Sequence, residues 1–228
     1  MAQTCFDPAL FAFLRALKRH NDRLWFDRNR ERYEEDVRRP LLRFIADIAA
    51  PLQRVSAAVV ADPRPVGGSM FRIHRDTRFS KDKTPYKTHA AAHFRHSAGR
   101  NVHAPGFYLH LEPGNVFFGA GIWHPDTEAL SAIRGAIMDN SDLWVAWTRS
   151  RRFRSACTWE GEVVQRPPRG VPADHPLLDD LKHKDFTVLG ASSEAEAGQP
   201  DFARRFLRFC RAAAPLNEFL ARALGLDW

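Results

Sequence analysis

Between Arg72 and Lys87 the chain carries three guanidinium groups (Arg72, Arg75, Arg78) and three ammonium groups (Lys81, Lys83, Lys87). Among them lie the hydroxyls of Ser80, Thr84 and Tyr86 and two carboxylates, Asp76 and Asp82. Charge-assisted hydrogen bonds from such a set suit phosphate or carboxylate, because arginine offers a planar fork of donors and lysine a compact, strongly hydrated charge. The candidate ligand-binding residues are therefore Arg72, Arg75, Asp76, Arg78, Ser80, Lys81, Asp82, Lys83, Tyr86 and Lys87. Asp76 has a second reading as a base or metal ligand, beside that of orienting an arginine. From Arg64 to Arg100 nine basic residues stand against two acidic ones, while the rest of the chain balances; the formal net charge of +7 thus resides in this stretch. The chain has six lysines among its 34 basic residues, and three of the six are Lys81, Lys83 and Lys87.

The same stretch alternates with a period of two. Phe71, Ile73, Arg75, Thr77 and Phe79 share one side and Arg72, His74, Asp76 and Arg78 the other, which predicts a strand. The composition of Ser80 to Pro85 predicts a turn after it. Arg75 then lies on the otherwise apolar side, where a guanidinium must be paired or reach a cavity. Asp76 and Asp82 are the nearest partners, so an internal ion-pair network stands beside the ligand site as a reading of these residues.

Other chemistry is less well encoded. His89, His93 and His96 have i, i+4, i+7 spacing, with His74, His103, His110 and His124 near in sequence. That raises divalent metal binding, but there is no H-E-x-x-H, and on a strand His96 leaves the face of the other two. No metal and no cofactor are expected. No phosphate-binding P-loop, dinucleotide fingerprint or nucleophile elbow is present. No serine or cysteine stands out as a nucleophile, and Cys157 reads as core. Phe79, Tyr86 and Phe94 interleave with the basic residues, which keeps a nucleic-acid-binding module in view.

These residues need elements to position them. Leu10, Phe13, Leu14 and Leu17 predict an amphipathic helix after Asp7-Pro8. A second helix starts at Asn21 or Asp22 and carries Trp25, Phe26 and Tyr33. A third runs from Pro40 through Leu41, Phe44, Ile48 and Leu52, with Pro51 set to kink or end it. Asp62 to Gly68 is the first break. Phe107 to Leu111 and Val116 to Trp123 predict a hairpin around a four-residue loop, Glu112 to Asn115. Gly119 and Gly121 on its second strand leave a patch that a ligand or a packed aromatic can fill. Helices over 126–138 and 141–149, a hairpin of 153–159 with 163–165, a short helix from Asp174 and a strand over 186–189 follow. Ala191 to Gln199 has linker-like composition, and a last helix carries Phe202, Phe206, Phe209 and Leu216, divided by Pro215. The expected fold is α+β: one domain over 1–228, with a helical N-terminal portion (1–60) and a body (69–228) whose antiparallel sheet is built from hairpins.

At 228 residues and 44% hydrophobic composition the chain can bury a substantial core. No apolar run reaches the length of a membrane span, and the N-terminus lacks the pattern of a signal peptide. Three cysteines, Cys5, Cys157 and Cys210, form neither a disulfide framework nor a zinc ribbon, so a cytoplasmic location is expected.

The run R-I-H-R-D-T-R-F-S-K-D-K-T-P-Y-K-T, Arg72 to Thr88, resembles the hallmark of a widespread bacterial and fungal family, domain of unknown function 2461. The similarity extends to Phe13, Leu14, Asn21, Trp25, Phe26 and Tyr33 near the start. It continues through Gly119, Gly121, Trp123 and Pro125, then Arg169-Gly170, His175-Pro176, Lys184 and Phe186, and ends with Pro215, Leu216, Phe219 and Leu220. The resemblance implies membership over nearly the whole chain and brings no reaction with it. His89 occupies a position where that family more often has another polar residue, which weighs against metal. The function expected is binding of a small anionic, phosphate-bearing ligand at the basic segment, with catalysis left open. The alternatives are a nucleic-acid-binding module and a purely structural network of arginine and aspartate.

Overall fold

The structure, a computed structural model, describes residues 5–98 and 104–228. Asp7 accepts a hydrogen bond from the Ala9 amide and Pro8 takes the first helical position, which starts helix α1 (Pro8–Arg19). Asp22 caps α2 (Arg23–Arg28) in the same way through the Trp25 amide. A short α3 (Arg30–Arg32) passes through a π-helical turn (Tyr33–Arg38) into α4 (Arg39–Gln53), which runs past Pro51 without ending there. The apolar stripes of α1 and α4 bury Leu10, Phe13, Leu14, Leu41, Phe44 and Ile48.

Six strands follow: β1 (Val59–Val60), β2 (Ala90–His96), β3 (Gly106–Glu112), β4 (Asn115–Ile122), β5 (Thr158–Glu160) and β6 (Phe186–Ser192). They form one antiparallel sheet in the order β1-β2-β3-β4-β6-β5. Helices α5 (Thr127–Asp139), α6 (Ser141–Thr148) and α7 (Arg151–Ala156) separate β4 from β5. Helices α8 (Leu178–Leu181), α9 (Glu194–Ala197) and α10 (Phe202–Ala223) come later in the chain. The fold is the expected α+β, with helices leading, a long helix last, and an antiparallel sheet between them.

The pleat gives this sheet two different faces. On one, Phe94, Phe107, Leu109, Phe118, Phe186 and Val188 are buried against Phe202, Phe206 and Phe209 of α10. Each such ring contributes about 1.5–3 kcal/mol of burial free energy. The register places position 190 on this face, and glycine fits there because a Cβ would come within 2.5 Å of the Phe209 ring. The other face carries His93 from β2, Tyr108, His110 and Glu112 from β3, and Phe117, Gly119 and Gly121 from β4. His89, one residue before β2, continues its row. At Gly119 the neighbouring aromatic fills the gap: a Cβ there would lie 3.3 Å from the Cβ of Tyr108.

Several local expectations need correction. Residues 71–79 form no strand; they belong to an irregular loop whose tip is turned by the side chains of Asp76 and Asp82. The β3–β4 hairpin closes on two residues, since Glu112 pairs with Asn115 and Pro113-Gly114 makes the turn with Gly114 at φ +80°. Residues 151–156 are helical, capped by Ser150, and β5 pairs with β6 instead of 163–165; Val163 makes only an isolated bridge to His183. The stretch 191–199 is no free linker, because Ala197 is fully buried and its carbonyl accepts the Phe6 amide. Helix α10 continues through Pro215. The loop expected over 97–105 falls largely outside the described residues, as does His103.

Candidate functional site

The basic loop is anchored at its base and shaped by its own side chains at its tip. The Phe71 amide donates to the Ala91 carbonyl and the His93 amide to that of Ser69, so residues 69–71 run along the edge of β2. Further out, the Arg75 amide donates to the Pro85 carbonyl and the Lys87 amide to that of Ile73, a two-bond ladder that brings both arms of the loop together. Asn21 clamps this base to the N-terminal helices. Its amide group donates to the Tyr86 carbonyl at 2.9 Å and accepts from the Tyr86 amide at 3.0 Å. The Tyr86 ring stacks on Phe26 at 4.1 Å and is buried, so this candidate ligand residue serves as a packing anchor.

At the tip, aspartates replace the ladder that a strand would need. Asp76 accepts from the Arg78 amide and Asp82 from the Thr84 amide, each turning the chain through its own side chain. The same carboxylates pair with arginine: Asp76 with Arg78 at 2.7 Å, and Asp82 with Arg75, which also donates to the Thr84 hydroxyl. The Thr84 amide, then the Arg75 guanidinium, hold the Asp82 carboxyl down at about 2. Lys83 donates to the Thr77 carbonyl at 2.9 Å. Ser80 is half-buried, Lys81 is exposed, and Phe79 is 96% exposed with the Arg78 guanidinium 5.8 Å from its ring centre. The ten sequence candidates therefore do not converge on one pocket. Arg75, Asp76, Arg78, Asp82 and Lys83 shape the loop.

Arg72 and Lys87 differ from the rest. Among the described residues neither makes an ion pair. The Lys87 ammonium lies half-buried, 4.9 Å from the centre of the Phe71 ring. Burial, then the charge of Arg72, lower its pKa. Two cations thus stand near one another at the rim of the polar face of the sheet, with the carboxylates of the loop committed elsewhere.

The face they border is lined by aromatic and imidazole groups. The Phe71 ring stacks over His93 at 6.3 Å, and Phe117 stacks on His110 at 4.6 Å. The rings of His89 and His110 lie 4.5 Å apart. Tyr108 Oη is 2.8 Å from His110 Nδ1, and His110 Nε2 is 3.4 Å from Glu112 Oε2. Burial, reinforced by the charges of His110 and Lys87, pushes His89 down to about 4; burial and Arg95 do the same for His93. His110 is lowered by burial against the opposing pull of Glu112. At neutral pH these imidazoles are neutral, able both to donate and to accept hydrogen bonds or to bind a metal.

Sequence spacing missed this constellation, because only the strand register sets His89 across from Glu112 and beside His110. It also missed His124 and Asp185 beyond the far end of β4. His124 has φ +51° in a non-glycine residue, and Asp185 accepts both its amide, at 2.7 Å, and a bond at its ring Nδ1, at 2.9 Å. The exposed ring of Trp123 stacks on His124. No signal in the sequence links positions 61 residues apart.

No curated protein and no solved structure matches the chain significantly. A family described as conserved hypothetical protein (DUF2461) matches residues 9–219, which include the basic loop, the clamp at Asn21 and every strand of the sheet. The chain belongs to the DUF2461 family.

Proposed function

We propose that the protein binds a small anionic, phosphate-bearing ligand where Arg72 and Lys87 meet the polar face of the sheet. The observation that carries this reading is Lys87: a half-buried ammonium beside a second cation, with no carboxylate paired to it among the described residues. An anion relieves that arrangement, because it pairs with both cations at once. Neutral His89, near enough to feel the Lys87 charge, supplies an uncharged donor alongside. The loop tip contributes shape, and the aspartates that fold it keep Arg75 and Arg78 engaged; for those two residues the structural-network reading is the better one. A cytoplasmic setting accords with three cysteines that stay unpaired.

A thermal-shift screen of orthophosphate, pyrophosphate, sugar phosphates and nucleotides tests the proposal. A bound anion at 100 times its Kd stabilises by about 2.7 kcal/mol, which raises Tm by roughly 5–11 °C for a chain of this length. If no anion moves the melting point, the reading fails.

The exposed Phe79, flanked by Arg78 and Lys81, favours a second reading, in which the loop tip stacks on single-stranded nucleic acid. That reading requires oligonucleotide affinity that falls steeply with salt and is lost in Phe79→Ala.

A further inference from the structure

We propose that His89, His110 and Glu112 form a binding site for a divalent transition metal, zinc foremost. The ligand atoms of the three side chains all lie within 4.8 Å of one another. They come from two adjacent antiparallel segments. His110 and Glu112 are two apart on β3 and so share its face, and the register that pairs Ala90 with Leu111 sets His89 across from Glu112. Two imidazoles and one carboxylate are the donor set of three-ligand zinc sites that keep a fourth position open to water or substrate.

The spacing of the best-held pair fits such a metal. His110 Nε2 and Glu112 Oε2 are 3.4 Å apart. Two ligands at bond lengths of about 2.1 Å in a tetrahedron are separated by about 3.4 Å. That distance is also at the long end for a hydrogen bond. The ligand nitrogen of His89 lies within 4.8 Å of both other ligand atoms, and the residue is partly exposed.

The surroundings aim each donor. His110 Nδ1 is engaged by Tyr108 Oη at 2.8 Å, which leaves Nε2 as the free ligand atom, and Phe117 holds the ring plane by stacking on it. The Thr88 hydroxyl donates to Glu112 Oε1 at 3.3 Å and leaves Oε2 turned towards His110. Outer partners of this kind orient metal-binding imidazoles and carboxylates generally. Lys87 lies close enough to act electrostatically on His89, so an anion held by Lys87 shares the electrostatic surroundings of the metal. The metal site does not depend on the anion reading; if both hold, the metal and the anion raise one another's affinity by the same factor.

The test uses the full chain, stripped with chelator and titrated with Zn2+ by calorimetry in phosphate-free buffer, and with Co2+ as a spectroscopic probe. One equivalent binds saturably, with visible absorption of the intensity of a four- or five-coordinate cobalt site. Glu112→Gln and His89→Asn, both at partly exposed positions and checked for native circular dichroism, each weaken Zn2+ binding at least tenfold. Tyr108→Phe weakens it to a lesser degree. Wild-type protein that takes up no stoichiometric Zn2+ overturns the proposal. So does affinity unchanged by Glu112→Gln and His89→Asn, since the metal would then be held by other histidines.

Discussion

At the scale of single residues, burial sets the protonation of the polar face. His93 accepts a hydrogen bond at Nδ1 from Arg95 Nε at 3.3 Å, which only the neutral ring can do, and its pKa is pushed down to about 4 from 6.5. The unfolded chain takes up a proton that the folded one refuses, so this histidine destabilises the fold as the pH falls from about 6.5 to about 4 and adds nothing further below that. Urea denaturation at pH 7, 5.5 and 4 should show the loss, and His93→Gln should flatten part of that slope. A slope identical in wild type and variant would show that His93 is not kept neutral. Removing Arg75 should have a smaller effect than a buried ion pair implies. Asp82 is more than half exposed and Arg75 partly so, hence Arg75→Ala should cost about 1 kcal/mol or less in denaturant unfolding.

At the scale of elements, the basic loop owes its position to a residue outside it. Asn21 presents an amide edge that mimics a strand, making both backbone bonds of Tyr86. Asn21→Ala leaves a donor and an acceptor unsatisfied and should cost about 1–3 kcal/mol, with faster hydrogen exchange at the Tyr86 and Lys87 amides. The two glycines of β4 should also separate. Gly121 has φ +115° and a Cβ there would come within 1.9 Å of the Phe186 carbonyl oxygen, so Gly121→Ala should destabilise by more than about 2 kcal/mol. Gly119→Ala has no backbone atom among its nearest contacts and one tight approach, the Tyr108 Cβ at 3.3 Å, which a shift of a few tenths of an ångström relieves, so it should cost clearly less. Equal melting points for the two variants would refute this account of β4. The helices were legible from sequence because Leu10, Phe13, Leu14 and Leu17 repeat at helical spacing. The alternation of the loop is real, and at its base the Phe71 and Arg75 amides do pair with neighbouring segments, but at the tip Asp76 and Asp82 turn the chain before a partner strand can extend the ladder.

At the scale of the whole molecule, one sheet divides two tasks. Its inner face and α10 supply an aromatic core that reading the sequence largely anticipated, since Phe202, Phe206 and Phe209 fall on one stripe. Its other face gathers residues from 87 to 121, and that assembly was only half legible. The charge concentration pointed to six cations alike, Arg72, Arg75, Arg78, Lys81, Lys83 and Lys87, because which of them are already engaged depends on pairings that only the folded loop creates. The cross-strand meeting of His89, His110 and Glu112 depends on register, which no local pattern records. Of the helices described, none is long and apolar enough to cross a membrane.

On the proposed reading Lys87, at the edge of the sheet, and not the arginines of the loop tip, holds the anion. Calorimetric titration of inorganic pyrophosphate into wild type, Lys87→Ala and Arg78→Ala tests it directly. Lys87→Ala should weaken binding at least tenfold, about 1.4 kcal/mol, while Arg78→Ala stays within about twofold of wild type. Unchanged affinity in Lys87→Ala, or a loss confined to Arg78→Ala, would contradict it.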